Sequence, residues 1–109
     1  MSFIDIFKRP DINKGVEEFL KERNAALLDV RTEEEYDEYH IEGSINIPLQ
    51  SLEKVRSKVA DLSTHLYVHC LSGARSARAV RLLKQMGYSS VTDIGGISGY
   101  HGKITGGAK

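Results

Sequence analysis

The chain has 109 residues, 15 lysines and arginines against 15 aspartates and glutamates, and one cysteine. That length suits one domain, taken here as residues 1–109 with a core over about 11–104, and such a core needs no disulfide or metal staple. Zero net charge excludes a global field toward nucleic acid or membrane, the lone cysteine excludes an internal disulfide, and no apolar run approaches the roughly 20 residues of a membrane span.

The lead, residues 1–10, is too short and too charged for a secretory segment, so the expected location is the cytoplasm. Asn13 is placed to cap a helix over about 14–23, with Val16, Phe19 and Leu20 on its apolar face. Residues 25–30 read as a short buried strand. Thr32 with Glu35 three residues on matches a capping box, which starts a helix running to about Tyr39. Glu33, Glu34 and Glu35 suit the positive end of its dipole; an acidic binding patch is the alternative. Residues 44–47 form a second strand ended by Pro48. A helix follows at about 51–60, with Leu52, Val55 and Val59 inward.

Leu66, Tyr67 and Val68 make a third strand that ends at His69, and a loop runs from Cys70 to Arg75. The helix beyond it reaches about Met86, with Ala77, Val80 and Leu83 on one face and Gly87 just past its end. Arg75, Arg78, Arg81 and Lys84 line another face, either as a solvated surface or as a basic rim that attracts small anions or an acidic partner, with Arg78, one turn beyond Arg75, the candidate for anion capture. Residues 91–94 form a fourth strand, Gly95 and Gly96 a turn, and residues 97–100 a short helix. The tail, residues 105–109, is expected to fray. Strands alternating with helices at short spacing predict an α/β domain with a mainly parallel sheet covered on both faces.

The chemistry gathers in Cys70-Leu71-Ser72-Gly73-Ala74-Arg75-Ser76. A strand feeds this loop and a helix leaves it, the position where open α/β sheets build their sites. Amides of a tight loop and of a helix N-terminus converge there on an anion, and Arg75 adds a full charge. Both favour a sulfur anion at Cys70. Gly73 lets the backbone turn, and Ser72 and Ser76 offer hydroxyls. The same donors suit a persulfide, which would make Cys70 a covalent carrier of sulfur.

Four segments together resemble the rhodanese (sulfurtransferase) family: Leu27-Leu28-Asp29-Val30-Arg31, the run from His40 to Pro48, the Cys70 loop, and the run from Val91 to Gly96. The resemblance spans about residues 11–104. Ser44 stands where the family usually has alanine, and Tyr100 where a tryptophan often follows the glycine pair. The resemblance implies a three-layer rhodanese-like domain and a ping-pong cycle. In that cycle Cys70 takes sulfur from thiosulfate or a related small sulfur anion and yields it to cyanide or a thiol. Residues Leu71, Ser72, Gly73, Ala74, Arg75 and Ser76 would hold the anion, while Asp29 and Arg31 brace the loop and His40 packs the second motif. No cofactor and no metal is implied. With no second cysteine, the acceptor must be external: glutathione, thioredoxin or another protein's cysteine. A monomer is expected.

Three other readings compete. Phosphatase-type loops place five residues between cysteine and arginine, whereas four stand between Cys70 and Arg75, making a cradle sized for one sulfur; arsenate reduction would also need a resolving thiol. A non-catalytic binding module of the same fold would be expected to lack the cysteine. His65 and His69 lie four apart on a strand, roughly 13 Å, too far to share a metal ion. His69 should face away from Cys70 as its strand neighbour, which removes a catalytic dyad, and His101 is expected at the surface.

Overall fold

The computed structural model describes residues 9–106. The sheet begins with β1 (Ala25–Asp29), continues with β3 (Ile45–Asn46) and β4 (His65–Cys70), and ends with β5 (Val91–Gly96). Its order is β3-β1-β4-β5 and all three pairings are parallel. This is the expected α/β architecture, with a central parallel sheet flanked by helices.

Alternation along the strands divides the core in two. Leu28, Val30, Leu66, Val68 and Cys70 point to one face. There they meet Leu52 and Val55, and Ala79, Val80 and Leu83 of α4 (Ala74–Gln85). Leu27 and Tyr67 point to the other face and meet Ile12 and Val16 of α1 (Ile12–Lys21), with Ile41, Ile94 and Ile97. Both faces are therefore dry, which is what a parallel sheet requires.

Several boundaries differ from those expected. The cap of α1 is Asp11, whose carboxylate accepts the Asn13 N–H at 3.0 Å. Asn13 lies inside the helix and is used elsewhere: its side chain donates to the Gly99 carbonyl and accepts the His101 N–H, tying the helix start to the end of the fold. Leu20, expected on the apolar face, is 73% exposed, because the face is set by Ile12, Gly15 and Val16. In α4 the fully buried alanine is Ala79 rather than Ala77. Residues 51–60 do not form one helix. A 3₁₀ segment (Leu49–Lys54), kinked at Ser51, runs into the short α3 (Val55–Lys58). Leu52, Val55 and Val59 are nonetheless inward.

The capping box of α2 (Glu33–Glu38) forms as predicted: Glu35 N–H donates to Thr32 Oγ1, and Thr32 N–H to Glu35 Oε1. Two short strands escaped the sequence reading. β2 (His40–Ile41) pairs antiparallel with β6 (Ile104–Thr105). The expected fraying therefore does not begin at Thr105; residues 107–109, like 1–8 of the lead, lie outside the described residues. Strands of two residues carry no periodicity of their own and exist only through their partner. Among the described residues no helix is long and apolar enough to cross a membrane.

Candidate active site

β4 runs through Cys70 itself, one residue further than the sequence pattern suggests, because Cys70 still pairs with Gly96 across the sheet. The cysteine is thus set at the C-terminal end of a central strand, its side chain under α4 and 1% exposed. The loop proper is Leu71 to Gly73. Gly73 turns the chain at φ +112° and serves as the N-cap of α4. A β-carbon there would meet no neighbour among the described residues, so the demand for glycine is conformational.

Two amides reach the sulfur: Gly73 N–H at 3.0 Å and Ser76 N–H at 3.3 Å from Cys70 Sγ. These are the donors a sulfur anion accepts at a helix start, where first-turn N–H groups have no intrahelical partner. The Ser76 hydroxyl behaves differently from its expected role as a donor to sulfur. It donates to Asp93 Oδ1 at 2.8 Å, with the Gly73 carbonyl at 3.1 Å as a second acceptor. A hydroxyl has one proton, so toward Cys70, 3.6 Å away, its oxygen is left as an acceptor of S–H. Asp93 also accepts the Gly95 N–H at 2.9 Å. In sequence Asp93 stands only as one residue of the last motif, Val91 to Gly96, with no signal of its own that ties it to the Cys70 loop.

The glycine pair serves the loop by close approach. A β-carbon at Gly96 would stand 2.3 Å from the Leu71 carbonyl oxygen and 2.7 Å from Ser72 Cα. Leu71 O is further held by the Ser98 N–H at 3.2 Å. Leu71, Ser72 and Ala74 present exposed side chains around the turn.

Arg75 does not aim its fork into the cradle. Its Nη1 and Nη2 bind both oxygens of Glu35 at 2.7 and 3.0 Å. The positive charge expected to serve the anion is therefore shared with α2. Hydrogen bonding to Arg75 holds the Glu35 carboxyl down at about 2, and the Arg75 guanidinium is pushed further up by Glu35. Arg78, Arg81 and Lys84 are exposed on α4.

Asp29 and Arg31 form a buried pair at 2.7 Å, each at most 1% exposed. Arg31 also donates to the Tyr39 carbonyl, and Asn46 donates to the backbone oxygens of Asp29 and Arg31. None of these bonds touches the loop. The pair acts on the end of β1, and through the register Asp29 to His69 on the strand that carries Cys70. His69 is fully buried, its Nε2 without a hydrogen-bond partner among the described residues and 4.0 Å from Asp29 Oδ2, and its burial lowers its pKa. His40 stacks on Tyr36, with ring centroids 3.7 Å apart, and its Nδ1 lies 2.8 Å from the Tyr36 carbonyl. His65 is held by Glu22 and Thr92, and His101 is exposed.

The description "Rhodanese-like domain" fits residues 13–103 of the chain. Over 71 residues the chain is 38% identical to thiosulfate sulfurtransferase PspE of Escherichia coli K12, covering 64% of this chain and 68% of that protein. Over 68 residues it is 40% identical to the putative sulfur carrier protein YrkF of Bacillus subtilis, covering 62% of this chain but 36% of that longer protein. The solved structure of a rhodanese with anions from E. coli superposes with a TM-score of 0.71 at 33% identity, covering 76% of this chain and 99% of that one.

Proposed function

The chain belongs to the rhodanese-like domain family, and we propose that it is a sulfurtransferase whose carrier is Cys70. The observation that carries the proposal is the pair of amides, Gly73 and Ser76, on a buried sulfur at the start of α4. The sulfurtransferase and sulfur-carrier names of its relatives support it. In the first half-reaction the Cys70 thiolate attacks the outer sulfur of thiosulfate or a related donor. A new S–S bond forms, the donor's S–S bond breaks, and sulfite leaves with the electron pair. The loop amides from Leu71 to Ser76 then hold the persulfide anion, as an oxyanion hole holds developing charge. In the second half, cyanide or an external thiol takes the outer sulfur and the Cys70 thiolate returns. No cofactor enters either half. The lone cysteine has no internal thiol to resolve it, so the acceptor is a small thiol or a cysteine of another protein, and the setting is the cytoplasm, where thiols stay reduced. The working unit is a monomer.

The test is thiocyanate production from thiosulfate and cyanide, with intact-mass analysis of the same sample. Wild type should show turnover and a one-sulfur adduct, and Cys70→Ser should lose both while keeping its circular dichroism and melting curve. A folded wild-type protein with neither product nor adduct overturns the proposal and leaves a binding module.

A further inference from the structure

A cavity of about 430 Å³ opens beside the Cys70 loop, at the small end of the range for ligand sites. Ser72, Gly73 and Ala74 line it from the loop, Asp93, Gly95 and Gly96 from β5, and Arg9 from the chain before α1. Two residues of opposite charge, Arg9 and Asp93, therefore line one small cavity beside the loop that carries the reacting sulfur. Neither forms an ion pair among the described residues. Asp93 uses Oδ1 for the Ser76 hydroxyl and the Gly95 amide, and its Oδ2 has no hydrogen-bond partner among the described residues. The path from Cys70 Sγ to Ser76 Oγ is 3.6 Å and from there to Asp93 Oδ1 2.8 Å, so the carboxylate lies within about 6.4 Å of the sulfur. A persulfide brings its outer sulfur about 2.05 Å from Sγ. An acceptor whose sulfur meets that atom can then set an ammonium, a few bonds away, against Asp93.

We propose that this cavity selects the sulfur acceptor, and that its preferred class is a small thiol bearing both an ammonium and a carboxylate, a cysteine-like amino acid held by Asp93 and Arg9. The inference rests on the sulfurtransferase reading of Cys70. The acceptor thiolate attacks the outer sulfur of the persulfide and forms the new S–S bond. The Cys70 S–S bond breaks with its electron pair on Sγ, and the product is the amino acid's own persulfide. No net oxidation occurs and no further reactant is needed. A lone anion would meet Asp93 and a lone cation Arg9, so each single-charge thiol satisfies half the site and opposes the other half.

Three acceptors separate the two charges: cysteine, cysteamine with the ammonium alone, and 3-mercaptopropionate with the carboxylate alone. Each is tested on wild type, Arg9→Ala and Asp93→Asn after loading with thiosulfate, and each rate is divided by the same variant's rate with cyanide. Comparing each variant's ratio with the wild-type ratio for the same thiol cancels the thiol's own reactivity and any general damage to the loop. Arg9→Ala should lower the ratio about three- to fivefold for cysteine and 3-mercaptopropionate, as for a partly exposed ion pair, and not for cysteamine. Asp93→Asn should do so for cysteine and cysteamine, and not for 3-mercaptopropionate. Ratios that stay level, or that fall alike for all three thiols, overturn the inference and leave sulfur transfer itself standing. Absence of turnover even with cyanide overturns the sulfurtransferase reading on which it rests.

Discussion

Glu35→Gln tests the link between the cap of α2 and the Cys70 loop. Glutamine serves at this position of a capping box, so it retains the bond from the Thr32 N–H. What the change removes is the charge that Arg75 binds through two hydrogen bonds of 2.7 and 3.0 Å. The carboxyl falls from 4.5 to about 2 on folding. At about 1.36 kcal/mol per pH unit that is worth about 3.4 kcal/mol for fully sheltered charges. The side chains are 26% and 34% exposed, so solvent screening reduces it, and the expected loss at pH 7 is about 1–2 kcal/mol. In a domain of this size each kcal/mol moves the melting temperature by about 4–8 °C.

The sign follows from the lowered value. The unfolded carboxyl holds its proton to higher pH than the folded one, so stability rises with pH between the two. The contribution is fully present above about 4.5 and is lost as the pH falls through about 2. Urea unfolding of wild type and Glu35→Gln should therefore differ fully at pH 7 and shrink steadily from pH 5 toward pH 2.5. An equal difference at both ends of that range would refute the reasoning and assign the loss to packing. The same variant leaves Arg75 uncompensated beside the loop. Its KM for thiosulfate should fall by about twofold or more at low ionic strength, and this gain should vanish in high salt.

Gly96→Ala places a β-carbon against the Leu71 carbonyl and Ser72 Cα, both backbone, so the loop must move; sulfur transfer should drop by about tenfold or more, by far the larger effect, with the sheet intact by circular dichroism. An active Gly96→Ala enzyme would show that the loop position is not set by this contact. His69→Leu removes a buried Nε2 that has no hydrogen-bond partner among the described residues, together with a long 3.5 Å contact from Nδ1 to the Cys70 carbonyl, so stability near pH 7.5 should change by less than about 1 kcal/mol or improve. Burial lowers the folded pKa of His69, so the unfolded chain takes up its proton first and wild-type stability declines as the pH falls below about 6.5. Denaturation curves between pH 7.5 and 5 should be flatter for His69→Leu, and an unchanged slope would place the acid sensitivity elsewhere.

Much of the site was legible because its signals are local. The turn at Gly73, the helix start after it, and the adjacency of Cys70 to both follow from spacing along the chain. The Thr32 capping box was legible for the same reason. In sequence Glu35 signals a cap and Arg75 an anion binder, and each signal is only part of the residue's role. Their 40-residue separation hides the pairing, which exists only because α2 and the loop sit at the same end of the sheet. The cap of α1 was misplaced by two residues because Asp11 and Asn13 are both good caps in isolation. Asn13 is drawn into the helix by its contacts with Gly99 and His101, 86 and 88 residues away.

The sequence by itself determined the alternation of strands and helices, the dry parallel sheet and the position of the sulfur at a strand end, since hydrophobic period and turn chemistry act over a few residues. Only the tertiary structure decided where the charges point. Arg75 turned to Glu35, the Ser76 hydroxyl turned to Asp93, and Asp93 was brought with Arg9 to one cavity. A side-chain charge is directed by the nearest opposite charge or hydrogen-bond partner in space, and which partner is nearest is fixed only when the sheet order β3-β1-β4-β5 has closed.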